Sequence, residues 1–174
     1  MTKQPYRLLP LLLSLQQKPH LKTVLLALDA LLPEGMMVLF YGSLAFLVLT
    51  FDPRVLPAAF FPAATLALVK TMRKHSSKPR PFEVYDFVPL RPHSGGHSFP
   101  SCHASSSFVI AVELFYLCRP LGLLAFGLSA IIAVTRVLTG VHFPKDVLAG
   151  SAIGLFVGFM GYFVLLPLCP FGWV

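Results

Sequence analysis

Charge is scarce in this chain. Asp, Glu, Lys and Arg make up 12% of its 174 residues, about half of what a soluble domain carries. Hydrophobic residues make up 56%, and the mean hydropathy is +0.75. Too little polar surface remains to cover a water-facing globule, so the solvent for most of the chain is lipid. Acidic residues are scarcer still, 7 against 14 Lys and Arg, for a net charge of +7. Two readings of that excess compete: attraction to an anionic membrane surface or substrate, and binding to nucleic acid. So apolar a chain offers no soluble face for a duplex, which argues against nucleic acid. Cysteine is sparse too. Cys102, Cys118 and Cys169 lack metal-ligand spacing and suggest no disulfide framework, and Cys118 and Cys169 read as small apolar fillers. Neither a metal site nor a cofactor is expected. Near the N-terminus Pro10, Gln16, Gln17, Lys18 and Pro19 interrupt the apolar run, and no small-residue cleavage site follows, so no cleavable signal peptide is expected.

What the chain does have is a series of long apolar runs. A helix needs about 20 such residues to cross the hydrocarbon core. The candidates are 36–51, 55–72, 104–118, 121–138 and 147–168. Asp52-Pro53-Arg54, Arg119-Pro120 and the 139–146 segment, with Gly140 and Pro144, separate them. Pro57, Pro62 and Pro167 fall in or near spans, where neighbouring helices tolerate them. Residues 8–32 differ, because Lys18, His20, Lys22 and Asp29 would be costly at the bilayer centre. Leu21, Leu25, Leu28 and Leu32 recur at helical spacing opposite Lys22 and Asp29, which predicts an amphipathic helix lying in the interface. A sixth crossing is the alternative. The expected fold is all-α: a polytopic transmembrane bundle of about five spans plus an N-terminal interfacial helix, in one domain over 1–174.

Residues 73–103 form the one long polar connection, rich in Pro, His and aromatic residues, and a connection of that kind reads as functional. With five spans, it shares one membrane face with the 139–146 turn and the N-terminal helix. Arg54 and Arg119 fall on the other face, so twelve of the 14 basic residues lie on one side.

Three clusters reach that face: Arg73 with Arg80-Pro81, then Pro100-Ser101-Cys102-His103, then Arg136 with His142 and Asp146. Arginine forks match phosphate oxygens. Ser101 and the N–H groups after it open a helix, where free donors and the helix dipole favour an anion. Asp146, four residues after His142, can hold one ring nitrogen and leave the other to attack. Pro144 suits the first turn of the last helix and keeps Asp146 close behind that histidine. His103 remains to protonate a departing oxygen. Taken singly, each arginine could be a solvated charge and each histidine an interfacial one; their joint spacing favours a site.

These clusters resemble the three motifs of the type 2 phosphatidic acid phosphatase superfamily, K-x-x-x-x-x-x-R-P, P-S-G-H and S-R-x-x-x-x-x-H-x-x-x-D. The chain reads RKHSSKPRP (73–81), PSCH (100–103) and TRVLTGVHFPKD (135–146), in order. The resemblance implies that His142 is a nucleophile forming a phosphohistidine, with Asp146 its orienting partner. It implies that His103 is the general acid, later activating water. Arg73, Arg80, Ser101 and Arg136 would form the phosphate clamp, helped by the N–H of Cys102. Three positions depart from the pattern: Arg73 stands for lysine, Cys102 for glycine and Thr135 for serine. None removes a proton-transfer group, so an active enzyme is expected.

The resemblance further implies a metal-independent phosphatase acting on a phosphorylated membrane lipid. Candidates are an isoprenyl pyrophosphate such as undecaprenyl pyrophosphate, phosphatidylglycerol phosphate, phosphatidic acid and a lipid A phosphate. A phosphotransferase passing the group to another lipid is the alternative, and a non-enzymatic transporter or scaffold a second. A vanadate-dependent haloperoxidase shares the motif logic, but the spans count against it. The relatives imply a cell-membrane location with the site facing outward, whereas the basic residues on that face argue for the cytoplasm. Glu113, inside the 104–118 run, is expected to face the bundle interior, either supporting the site through a buried hydrogen bond or simply packing. His75, His93, His97, Lys74 and Lys78 read as loop residues or as substrate contacts.

Overall fold

The computed structural model describes residues 7–85 and 87–165. Pro167, Cys169 and the end of the span expected to reach 168 lie outside them. Among the described residues the regular structure is all helical: α1 (Leu9–Gln16), α2 (Pro19–Leu49), α3 (Val55–Ser76), α4 (Pro81–Tyr85), α5 (Cys102–Leu117), α6 (Arg119–Leu138) and α7 (Pro144–Phe159), the last continued by a π-helical turn, Met160–Leu165.

Proline punctuates the N-terminal part. Lys18 is extended, as the residue before a proline tends to be, and Pro19 opens α2, where its missing N–H is not needed. The single interfacial helix expected over 8–32 is therefore divided at this point. Its second half is continuous with the span expected at 36–51, making one helix of 31 residues. Pro33 inside α2 does not end it, because the backbone group it frees finds other partners. The expectation that Asp29 faces outward beside Lys22 is also overturned: Asp29 is fully buried.

By length and composition α2, α3, α6 and α7 can each cross a bilayer. With 16 residues α5 rises only about 24 Å, less than the hydrocarbon core. It is the central helix, packed against α2, α3, α6 and α7. Val109, Ile110, Ala111, Val112 and Leu114 are buried around its circumference, the pattern of a helix whose neighbours are protein on every side. Helix α7 approaches it through a stripe of small residues. A Cβ at Gly150 would lie 2.5 Å from the Ser101 carbonyl oxygen, and one at Gly154 would lie 2.3 Å from that of Ser105. Only glycine permits that contact, which brings the second cluster against the third.

The periphery is apolar. Leu31, Val38, Phe46, Leu124, Leu148 and Phe156 are all exposed, a surface that suits hydrocarbon rather than water. The chain is a multi-pass membrane protein. One end of the bundle gathers the α3 C-terminus, the α5 N-terminus and the α6–α7 turn, stitched by Leu90 N–H to the Thr139 carbonyl at 3.0 Å. The other end carries the Asp52–Arg54 turn and the α5–α6 junction at Cys118, across an apolar cavity of about 350 Å³.

Candidate active site

The α6–α7 turn presents His142. Gly140 takes a positive φ of 77° there, and a Cβ would meet the Phe87 ring at 2.7 Å. The turn closes with the His142 N–H donating to the Arg136 carbonyl at 3.1 Å, which joins two residues of the third cluster directly. Asp146, in the first turn of α7, lies with Oδ2 3.8 Å from His142 Nδ1. That is ion-pair contact rather than a full hydrogen bond, and such catalytic contacts tighten when substrate binds. Asp146 is itself held firmly. Its Oδ2 accepts from Ser98 Oγ at 2.5 Å and from the Phe143 N–H at 3.1 Å, and its carbonyl accepts from the Ser101 N–H at 2.9 Å. One carboxylate residue thus ties the second cluster to the third. Burial holds the His142 imidazole below its ordinary pKa, opposed by Asp146. The ring is therefore neutral, as an attacking nitrogen must be.

Arg80 is only 1% exposed. Its Nη1 donates to the Val141 carbonyl at 3.0 Å, its Nε has no partner, and no ion pair among the described residues includes it. A buried guanidinium without a carboxylate is an unmet demand for an anion. The Ser101 hydroxyl is likewise buried and without a partner. Ser101 precedes α5, whose first N–H groups, those of Cys102 and His103, have no intrahelical acceptor.

His103 is exposed and lines a mainly apolar cavity of about 270 Å³ together with Met36, Met37, Leu66, Ile110 and Ile132. The charges of Arg136, Arg91 and Arg73 and the His142 ring all act on it, as Arg80 and Arg73 act on His142. The eight residues singled out from the sequence therefore converge on one end of the bundle. Arg73 departs from a freely poised clamp: its Nε and Nη2 donate to the His97 carbonyl at 3.1 and 2.6 Å, and its Nη1 to Cys102 Sγ at 3.0 Å. The thiol that replaces glycine thus meets the arginine that replaces lysine. Among the described residues no group of three or more His, Cys, Asp or Glu side chains could hold a metal ion.

Four contributors escaped the sequence reading. Ser98 is fully buried against Asp146. Glu83 accepts from the Arg80 N–H at 2.7 Å and the Gly96 N–H at 3.1 Å, pinning the connection. Asp29 and Arg91 meet Arg136: Asp29 Oδ1 lies 3.3 Å from Arg136 Nε, and Asp29 Oδ2 lies 2.9 Å from Arg91 Nη1. The only local signal for Asp29 was its place on an otherwise apolar face of α2. Glu113, by contrast, stands apart from this site. Its Oε1 accepts from Ser43 Oγ at 2.9 Å and its Oε2 has no partner.

Known proteins resemble this chain in sequence and in fold. Lipid A 4'-phosphatase of Bacteroides thetaiotaomicron is 42% identical over 72 residues, covering 40% of this chain and 32% of that protein. Undecaprenyl-diphosphatase BcrC of Bacillus subtilis is 33% identical over 85 residues, covering 48% and 43%. The matched stretches span less than half the length of these relatives. The crystal structure of Aquifex aeolicus LpxE superimposes with a TM-score of 0.72 at 27% identity, over 92% of this chain and 98% of that one. A PAP2-type phosphatidylglycerolphosphate phosphatase from Bacillus subtilis does so with a TM-score of 0.68 at 25% identity, over 89% and 81%. The family model of the PAP2 superfamily matches residues 54–166. That stretch runs from the α2–α3 turn past the end of α7 and encloses all three clusters, and the chain belongs to the PAP2 superfamily.

Proposed function

We propose that the protein is a membrane lipid phosphatase, releasing phosphate from a phosphomonoester or diphosphate on a membrane lipid through a phosphohistidine at His142. The observation that carries this reading is Arg80, a guanidinium buried with no carboxylate partner among the described residues, near an imidazole whose pKa burial holds down. A phosphate would supply the missing charge, with Arg136, Arg73, the Ser101 hydroxyl and the Cys102 N–H around it. His142 Nε2 attacks phosphorus as the bond to the lipid oxygen breaks, and His103 gives that oxygen its proton. Water then attacks the phosphohistidine, yielding a proton to His103, and phosphate leaves with His142 restored. Asp146 orients the ring and stabilises its charge.

The cavity beside His103 lies among α2, α3, α5 and α6 and is lined mainly by apolar side chains, so a hydrocarbon tail can stay out of water while the headgroup meets the cations. Similarity to a lipid A phosphatase and an undecaprenyl-diphosphatase supports the same substrate class. Incubating detergent-purified protein with undecaprenyl pyrophosphate, phosphatidylglycerol phosphate, phosphatidic acid and lipid A is expected to release phosphate from at least one. Release from none sinks the reading. On this reading the site faces outward from the cell membrane. Arg73, Arg80, Arg91 and Arg136 all have partners within the site, so their charge reports on chemistry rather than orientation. A cysteine introduced at Ser94 should react with an impermeant maleimide in intact cells, and protection of that cysteine overturns the orientation.

A further inference from the structure

Pro33 stands four residues after Asp29 in α2 and lacks the N–H that would bond the Asp29 carbonyl. That carbonyl is taken up by two arginines instead, accepting from Arg136 Nη2 at 3.2 Å and from Arg91 Nη1 at 3.1 Å. The Asp29 carboxylate meets the same pair, at 3.3 Å from Arg136 Nε and 2.9 Å from Arg91 Nη1. One residue thus offers its backbone and its side chain together, as a notch in the helix wall. A carboxylate buried among apolar helices is costly unless paired, and this one is paired twice, leaving the cluster with a net positive charge.

The two arginines it holds differ in exposure. The Arg136 side chain is 4% exposed and that of Arg91 is 43% exposed. One guanidinium is sealed within the bundle, while the other is partly open to its surroundings. Asp29 engages only Nη1 of Arg91, which leaves Nε and Nη2 for another acceptor. Through Asp29, Arg91 shares a carboxylate with Arg136, whose carbonyl accepts from the His142 N–H. None of the three sequence clusters contains Arg91.

We propose that the Asp29–Pro33 notch is an arginine socket, and that Arg91 within it binds a second phosphate, the one that departs with the lipid when the substrate is a diphosphate. This rests on the phosphatase reading above. The reacting phosphate lies against His142 and Arg80, the bridging oxygen faces His103, and the lipid-side phosphate falls to Arg91. No bond is made or broken beyond the steps already given; the leaving lipid monophosphate carries extra charge, and Arg91 stabilises it. A phosphomonoester has no group to place there, so Arg91 favours diphosphates. Asp29 is a positioning residue, acting through both arginines.

The test uses the full chain in detergent and measures binding apart from turnover, with methylenediphosphonate, which cannot be hydrolysed, and inorganic phosphate as probes. Wild type is expected to bind the diphosphonate more tightly. Arg91→Ala should weaken the diphosphonate about tenfold and phosphate less than about twofold. Arg91→Lys should restore part of the difference, and Asp29→Asn should weaken both probes because it frees Arg136 as well. Equal loss for both probes in Arg91→Ala, or no loss, overturns the proposal, as does a wild type without preference. Should Arg91→Ala not fold, Arg91→Gln is read the same way. Preference for the diphosphonate without phosphate release from any lipid would remove the phosphatase reading and leave the second anion site standing.

Discussion

At the end of the bundle that carries the site, Asp29, Arg80, Arg136, His142 and Asp146 are each at most 3% exposed. At the opposite end Asp52 and Arg54 pair at 2.6 Å, with side chains 20% and 37% exposed. The second pair joins residues two apart, closes a turn and remains in a screened environment. The first group draws several of its partners from distant parts of the chain and contains a cation, Arg80, that pairs with no acid among the described residues. Where charge serves only a turn, it stays close to solvent and is locally balanced. Where it is buried and left unbalanced, it presents a positive charge that an anion can neutralise. Glu113 marks the boundary of that rule: it is as buried as Asp29 but meets a serine hydroxyl rather than guanidinium groups, away from the site.

The comparison can be broken most directly at His142. If His142 is the proposed nucleophile, His142→Ala should lower kcat by at least about a thousandfold while phosphate binding persists, because the arginines remain. Normal turnover in that variant would reduce the buried cluster to a structural feature. The acid limb of the pH profile sharpens the point. Burial places the His142 pKa below its ordinary value of about 6.5, and the neutral ring is the competent form, so kcat/KM should hold as pH falls through that value and fail only below it. A limb at or above the ordinary value would contradict the buried, neutral ring.

Ser98→Ala removes a hydroxyl from the buried Asp146 carboxylate and should destabilise the protein by about 1–3 kcal/mol, read by thermal unfolding, with a fall in kcat as Asp146 loosens. Asp52→Asn makes the matching change at the other end. An exposed pair contributes about 0–1 kcal/mol, so turnover and melting temperature should stay close to wild type. Equal effects of these two substitutions would erase the contrast between the ends.

Much of the site was legible because its three clusters are short and their spacing is local. In P-S-C-H the hydroxyl, the helix start and the histidine adjoin one another, and His142 and Asp146 sit one helical turn apart. Span limits were legible for a similar reason, since Asp52-Pro53-Arg54 and Arg119-Pro120 break apolar runs that cannot accommodate them. The interfacial helix expected over 8–32 differs from the structure in two ways. Pro19 divides it, and Leu21, Leu25, Leu28 and Leu32 suggested a lipid-facing stripe that would turn Asp29 outward, whereas α2 buries Asp29. Ser98 passed unnoticed because a serine in a polar loop carries no signal of its own. Glu113 was placed correctly inside the bundle, but its serine partner lies 70 residues earlier.

From composition and covalent order alone, this chain had lipid as its solvent, apolar runs long enough for spanning helices and three clusters of phosphate-matching residues on one face. Those follow from transfer free energies and from spacings of a few residues, which need no knowledge of the fold. The tertiary structure decided what surrounds each charge. Arg91 and Arg136 reach Asp29 across 62 and 107 residues, and Arg80 reaches Val141 across 61. A carboxylate on a helix can face lipid, water or a guanidinium, and only the packing of α2 against the site end selects among them. The cost of burying an unpaired charge makes that choice decisive.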